Sequence, residues 1–282
     1  MLVARTGRGA GMKQGLAVAL LAGSAWASAA GAEELSGLPL AGEAAETFLH
    51  TARLVHKKAL GTGITHSEQY TLDDGTRTCR AVWKTIDEFK RGVSSFEGGG
   101  VYVDFEDSWK HEVAAYELDK LVGTGLVPPT VERTFGSTKG SLQLWVDGAM
   151  TEADRKRKKI APPDPVPWNE QMYKVRLMHQ LTFDTDYRNV NNVLLDASFR
   201  IYAIDFSRAF LSYEDLLSTK ELLRFSRSVL EALKALDRHS LDAKLGRWLT
   251  GPQISSLLKR RDKILAIAAR RVEEQGEAAV LY

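Results

Sequence analysis

Polar side chains gather between Leu181 and Phe210, at the ends of short apolar runs. Phosphoryl transfer needs a carboxylate near the attacking hydroxyl, together with an amide and a second carboxylate that hold a divalent metal on the phosphates. Asp186, then Asn191 or Asn192, then Asp205 supply these groups in that order. An Asn/Asp-rich turn capping a β-hairpin is the alternative. This stretch alone leaves both interpretations open.

A phosphate-binding lysine is predicted at the end of the strand-like run from Cys79 to Lys84. Strand alternation places Val82 and Lys84 on one face, so that Val82 could wall an adenine pocket while Lys84 reaches phosphate. A glutamate on the following helix could pair with this lysine, and both Glu112 and Glu117 are candidates. A lysine that simply ends a strand in solvent is the alternative.

A glycine pair upstream is a further candidate for phosphate binding. Gly61 and Gly63 flank Thr62, and such a turn could offer backbone N–H groups to a nucleotide. Lysine, helix glutamate, loop aspartate and strand-end aspartate then follow in the order found in kinases. The ordered set favours a nucleotide site more than any one of its members does.

The elements that must position these residues form a β-rich half followed by a helical half, which favours an α+β protein with two lobes over a doubly wound sheet. In the first half, Ser108 and Gly123 are typical helix caps, and Asp73-Asp74-Gly75 is typical of a hairpin turn. The predicted elements are a helix over 43–59, strands at 67–72 and 77–85, a loop over 92–100, a helix over 109–122, strands near 130–135 and 141–147, a boundary loop over 154–167, a helix over 168–180, strands at 193–195 and 201–204, and helices through most of 214–275.

Two segments carry a family resemblance. The segment 111–133, HEVAAYELDKLVGTGLVPPTVER, resembles the helix-and-loop signature of the secretory-pathway casein-kinase and xylose-kinase family in its glutamate, paired alanines, Leu-Asp pair and Val-Pro-Pro. The stretch 181–210 resembles both that family and the wider HipA and phosphatidylinositol-kinase group, whose pattern is roughly D-R-H-x-x-N, a strand and I-D-F. The resemblance covers about residues 59–210, and less specifically the helical tail with Leu258 to Asp262.

This resemblance implies a bilobal atypical protein-kinase-like fold, with a β-rich N-lobe and a mainly helical C-lobe, that binds ATP with Mg²⁺ or Mn²⁺. It favours Glu112 over Glu117 and assigns Lys84 to the nucleotide phosphates. It also makes Asp186 the catalytic aspartate and Asp205 a metal ligand.

The chain departs from the family pattern at several positions. Tyr187 stands as an inserted residue after Asp186, so the metal-binding asparagine is Asn191 by spacing or Asn192 by its place before Val193. Asn192 is favoured. Asp184 is a second candidate base. Ser207 replaces the usual glycine after Asp-Phe, and no histidine immediately precedes the loop aspartate.

Composition narrows the class of protein. The 282 residues include 38 Lys+Arg and 36 Asp+Glu, and this near balance gives no reason to expect a nucleic-acid partner. The single cysteine, Cys79, excludes an intrachain disulfide and any zinc site built from several cysteines.

The N-terminus has the pattern of an export signal. Arg5, Arg8 and Lys13 precede an apolar run over 16–22, and Ala30-Gly31-Ala32 fits a signal-peptidase site. Cleavage near Ala32 would leave a mature chain without a transmembrane segment, located in the periplasm or secreted; Met12 is an alternative initiator to Met1.

The predicted organisation is therefore a signal peptide over 1–32, an N-terminal helical segment over 33–60, an N-lobe over 61–150 and a C-lobe over 151–282. The predicted function is that of an exported bacterial kinase that transfers the γ-phosphoryl group of ATP to a hydroxyl of a protein, sugar or lipid. The alternatives are a pseudokinase that acts as a nucleotide-binding or scaffold module, and an AMP transferase on the same fold.

Overall fold

A five-stranded antiparallel sheet forms the N-terminal lobe. The structure is a computed structural model that describes residues 37–61, 67–95 and 101–282. Helix α1 (Gly42–Thr51) packs on one face of the sheet and buries Phe48 and Leu49 there. The strands, in their order across the sheet, are β1 (Arg53–Ala59), β2 (Glu68–Asp73), β3 (Thr78–Lys84), β7 (Thr138–Leu144) and β6 (Thr130–Phe135).

The hairpin between β2 and β3 agrees with its predicted turn. Asp74 Oδ1 accepts hydrogen bonds from the backbone of Thr76 at 2.8 Å and of Arg77 at 2.9 Å, and Gly75 has a φ of +90°. Along β3, Cys79, Ala81 and Trp83 face the core, so the alternate residues up to Lys84 share the other face. This register aims Lys84 away from α1.

The predicted helix over 43–59 is wrong beyond α1. Residues 53–59 form β1 instead, and Lys57 lies opposite Tyr70 in the ladder with β2. Val55, which the helical pattern placed on a buried stripe, is 52% exposed. Because the strand's hydrogen bonds go to a partner beyond a loop, the local pattern did not reveal them. The segment 33–60 is therefore not wholly helical, and its described part joins the N-terminal sheet.

A second hairpin, β4 (Asp87–Ser95) with β5 (Val101–Ser108), follows β3. The predicted loop over 92–100 is wrong for its first residues, which belong to β4. Gly92 suggests a loop because of its conformational freedom, but here it has a φ of +83° at a bulge between Lys90 and Val93. A bulge tolerates such a residue inside a strand.

Helix α2 (Trp109–Val122) begins and ends where the sequence predicts. Ser108 Oγ accepts from the Lys110 N–H at 3.3 Å, and Gly123 closes the helix with a φ of +73°. The helix packs against β6 and β7 on one side and against the helical lobe on the other. It therefore presents Glu112 between the two halves of the protein.

The C-terminal lobe is mainly helical around a small three-stranded sheet. Its core contains fully buried Phe206, Phe210 and Phe225. Its elements are β8 (Met150–Thr151), α3 (Glu152–Arg157), α4 (Pro165–Thr182), β9 (Val193–Leu195), β10 (Ile201–Ala203), α5 (Arg227–Ala235), α6 (Arg238–Leu245), α7 (Gly251–Gln275) and α8 (Glu277–Val280).

Two helical boundaries differ from the predictions. The predicted boundary loop over 154–167 begins inside α3, because the Thr151 hydroxyl caps that helix by accepting from Asp154 N at 3.0 Å. Residues 214–226 contain a single 3-10 turn at 219–221 rather than an α-helix. Across the described residues, no helix combines the length and apolarity that crossing a membrane requires.

Candidate active site

Lys84, at the end of β3, bridges two carboxylates from different elements. Its Nζ lies 2.5 Å from Glu112 Oε1 on α2 and 2.7 Å from Asp205 Oδ1, which follows β10. The second carboxylate oxygen of Glu112 accepts from the backbone N–H of Phe206 at 3.1 Å. The predicted pairing of Lys84 with Glu112 is therefore present, whereas Glu117 pairs with Lys120 at 2.7 Å.

The charges of Lys84 and Asp205 support one another. Burial opposes the charge of Lys84, but Asp205 and Glu112 outweigh it and raise the pKa of Lys84 above its ordinary value. Burial likewise opposes the charge of Asp205, yet the ammonium of Lys84 lowers the pKa of that carboxyl. Lys84 and Asp205 are thus both charged at neutral pH.

Asp186 lies in the loop after α4 and is held by two amides. Its Oδ2 accepts from Asn189 Nδ2 at 3.0 Å and from Asn192 Nδ2 at 3.1 Å. Asn192 is buried, while Asn191 is exposed and bonds to Asn189 instead. A 3-10 turn over 190–192 accommodates the inserted residue, so the geometry joins Asn192 rather than Asn191 to the loop aspartate.

Asp184, the second candidate base, is buried beneath the loop that carries Asp186. Its Oδ1 accepts from the Asp186 N–H at 3.0 Å, and burial raises its pKa well above the ordinary value. His179 lies behind it, with Nε2 at 3.7 Å from Asp184 Oδ2 and its ring 6.0 Å from that of Phe206. Both groups are buried and support the loop from inside.

Asp205 has a strained backbone. Its φ is +65°, a left-handed conformation that few non-glycine residues adopt. The two residues that follow hold this conformation in place, since Phe206 is fully buried and the Ser207 carbonyl oxygen is 2.9 Å from His111 Nδ1. Such strain clusters at active sites and ligand clamps.

A cavity of about 890 Å³ opens beside these residues, between the sheet and the helical lobe. Val82 borders it from the sheet, and Asn191, Asn192 and Asp205 border it from the opposite side. Its size is within the range of small-molecule pockets. Gly61 lies exposed in the connection from β1 to β2, and Gly63 lies outside the described residues. The other lining residues are Arg80, Gln143, Leu144, Trp145, Val146, Gly148, Ala149, Thr151, Asn189, Leu194 and Ile204.

The donor set suits a metal ion that arrives with a nucleotide. In the described part of the chain, no cluster of three or more His, Cys, Asp and Glu side chains could hold a metal by itself. Asp205 and Asn192, which both border the cavity, offer one carboxylate and one amide oxygen. Mg²⁺ commonly binds through one or two carboxylates and completes its shell with water and substrate phosphates. These residues fit that arrangement.

Comparison with solved structures identifies the fold as kinase-like. No family model matches the chain, and no curated protein matches it. Among solved structures, a structure of hydra Fam20 with sugar is similar at a TM-score of 0.61 and 14% identity, over 84% of this chain and 90% of that chain. The Golgi casein kinase is similar at a TM-score of 0.58 and 16% identity, over 83% of this chain and 77% of that chain. The expected α+β, bilobal kinase-like fold is confirmed.

Proposed function

We propose that this protein is a metal-dependent kinase that transfers the γ-phosphoryl group of ATP to a hydroxyl group of an acceptor. One observation carries the proposal: a single buried lysine joins the α2 glutamate to the aspartate after β10, beside a cavity large enough for a nucleotide. The kinase-like fold of the solved structures supports it.

Each residue then has a role in the transfer. Lys84, fixed by Glu112, binds the phosphates. Asp205 and Asn192 would hold Mg²⁺ or Mn²⁺, and the charge of that ion would offset that of the phosphates. Asp186 accepts the proton of the attacking hydroxyl. The bond from the γ-phosphorus to the bridging oxygen breaks, a bond to the acceptor oxygen forms, and ADP leaves.

Two aspartate variants test this assignment. We expect ATP with Mn²⁺ to raise the melting temperature of the wild-type protein, because a ligand that binds the folded state stabilises it by mass action. Asp205→Asn removes the metal ligand and should abolish this shift. Asp186→Asn should keep the shift and lose transfer. Asp215→Asn, at a side chain that is 90% exposed, is the control that should change neither.

The reaction catalysed is tested separately with labelled ATP. Label in the γ position should reach the acceptor or, without one, appear as phosphate by slow hydrolysis. Transfer of an α label would instead establish AMP transfer. Binding without release of either label would establish a pseudokinase. If Asp205→Asn and Asp186→Asn both bind and turn over ATP like wild type, the site assignment is wrong.

We also propose that the protein is exported, on the strength of the basic, apolar and small-residue pattern over residues 5–32. N-terminal sequencing of the native product should begin at Glu33. A product that begins at Met1 or Met12 would place the kinase in the cytoplasm.

A further inference from the structure

Arg208 lies in the loop that carries the candidate metal-binding aspartate, at a point where this loop contacts the one that carries the candidate catalytic aspartate. Its carbonyl oxygen accepts from Thr185 N at 3.4 Å and from Thr185 Oγ1 at 3.1 Å, and Thr185 immediately precedes Asp186. The same two segments meet again where Phe210 N donates to Thr182 O at 2.6 Å. The backbone of Arg208 is therefore held beside the base of the proposed reaction.

The side chain of Arg208 is anchored from the β4–β5 hairpin. Its Nε donates to Asp107 Oδ2 at 2.8 Å, and its guanidinium carbon lies 5.8 Å from the centre of the Phe105 ring. The Asp107 side chain is 5% exposed, whereas that of Arg208 is 25% exposed. Within the described residues, Asp107 Oδ1 is buried and accepts no hydrogen bond. The carboxylate therefore binds Arg208 through Oδ2 alone.

The guanidinium of Arg208 also interacts electrostatically with the aspartates of both loops. Burial opposes its charge, but Asp107, Asp186 and Asp205 together raise the pKa of Arg208. Lys84, the other cation of the site, pairs with Glu112 and Asp205. Arg208 is therefore a second, permanently charged cation close to both candidate aspartates.

We propose that the guanidinium of Arg208 binds the γ-phosphate of ATP and is a further catalytic residue of this site; the inference rests on the proposed kinase function. In the transition state, negative charge is spread over the three equatorial oxygens of the transferring group. A guanidinium presents N–H donors in a planar fork that matches phosphate. Asp107 is then a positioning residue, because it fixes the fork before the nucleotide arrives.

Binding of ADP and of a non-hydrolysable ATP analogue separates this role from a structural one. We expect Arg208→Gln to bind ADP with Mn²⁺ within about twofold of wild type. It should bind the β,γ-imido analogue of ATP about tenfold more weakly, the effect of losing a charge-assisted contact to phosphate. Transfer should fall about 10²- to 10³-fold, as when one transition-state donor is removed. Calorimetric titration gives both affinities.

Three further variants keep the test decisive. Arg208→Lys retains the charge without the fork and should lie between wild type and Arg208→Gln. Asp107→Asn keeps the cation but loosens its anchor, so it should slow transfer more than it weakens binding of the analogue. Arg157→Gln, at an arginine that is 73% exposed, should match wild type. Circular dichroism without ligand checks that each variant is folded.

The outcomes distinguish this inference from the proposed function. If the wild-type protein binds neither nucleotide, the proposed function fails and the inference fails with it. If wild type binds both, but Arg208→Gln weakens ADP and the analogue equally or affects neither, the role of Arg208 at the γ-phosphate is wrong while the kinase proposal stands. A selective loss of affinity for the analogue supports both.

Discussion

Lys84 is the residue on which the charge balance of the site depends. Replacing it by methionine leaves the carboxylate of Glu112, whose side chain is 2% exposed, without a cation. Breaking a buried ion pair in this way lowers the free energy of unfolding by about 3–5 kcal/mol. We expect Lys84→Met to show this loss in urea denaturation and also to lose nucleotide binding.

A double variant tests the cause. Lys84→Met combined with Glu112→Leu removes both charges and should recover most of the stability, but none of the nucleotide binding. Lys263→Met removes a lysine that pairs with exposed Asp215 and should cost less than about 1 kcal/mol. If the double variant is no more stable than Lys84→Met, the buried charge of Glu112 is not the reason for the loss.

His179 makes stability depend on pH. Burial lowers the pKa of His179 to about 4. Between pH 6.5 and 4 the unfolded chain therefore binds a proton that the folded chain does not, so stability present at neutral pH is lost as the pH falls. The shift corresponds to about 3 kcal/mol at pH 4. We expect His179→Asn, which does not titrate, to flatten this part of the stability curve measured by urea denaturation.

A matched histidine provides the control for this prediction. His239→Asn, at an exposed position of α6, should leave the pH dependence unchanged. An equal slope in His179→Asn and wild type would place the origin of the acid sensitivity elsewhere.

Much of the site follows from residue types and their order. The sequence predicts Lys84, Glu112, Asp186 and Asp205, because phosphoryl transfer restricts which groups can serve. It leaves Asn191 and Asn192 as alternatives, since a one-residue insertion can be absorbed on either side of the amide. It gives no signal for Arg208, whose role depends on Asp107 from a hairpin about a hundred residues earlier in the chain.

Among the elements, β7 offers a direct test of how the sheet positions the lysine. A Cβ at Gly140 would clash with the Lys84 carbonyl oxygen and would lie 2.8 Å from the Trp83 ring. Gly140→Ala must therefore push β3 and β7 apart. We expect a loss of about 1–3 kcal/mol in the free energy of unfolding, as for overpacked cores, and weaker ATP binding in a thermal-shift titration.

Another glycine is the control for this change. Gly61→Ala adds a Cβ that meets no atom of the described residues within 4 Å and should preserve stability. If Gly140→Ala is as stable as wild type and binds ATP equally well, the close approach of β7 does not determine where Lys84 lies.

The sequence correctly predicts elements whose signals are local, but it misses those whose hydrogen-bond partners lie far away in the chain. The sequence predicts α2 with both ends because Ser108 and Gly123 lie beside the backbone groups they cap. It misses β1 and the start of β4, because their hydrogen bonds are made to strands beyond a connecting segment. The amphipathic spacing over 43–59 corresponds to buried positions only as far as Ala52; beyond it, the chain forms β1.

At the scale of the whole molecule, Arg260 joins parts of the chain that are far apart. It is fully buried on α7, and its guanidinium donates to the carbonyl oxygen of Leu181 at 2.8 Å and to those of Leu211 and Tyr213. We expect Arg260→Met to lower the free energy of unfolding by about 2–4 kcal/mol, because three carbonyl groups, two of them in buried hydrogen bonds, lose their donor. Urea denaturation measures the change.

The same helix provides a control. Arg270→Met, at a side chain that is 65% exposed, should change stability by less than about 1 kcal/mol. A more stable Arg260→Met would mean that burying the guanidinium costs more than its hydrogen bonds return.

Residues 211–213 are held from two sides. Tyr213 Oη accepts from the Val103 N–H at 2.7 Å, while Arg260 binds the carbonyl groups of Leu211 and Tyr213 from beneath. Ordering this segment is therefore part of folding and requires no later modification to drive it. In kinases where phosphorylation orders a loop beside the active site, the modification switches the enzyme between an inactive and an active state. Here the hydrogen bonds from Val103 and Arg260 already hold residues 211–213, so this segment needs no phosphorylation to become ordered.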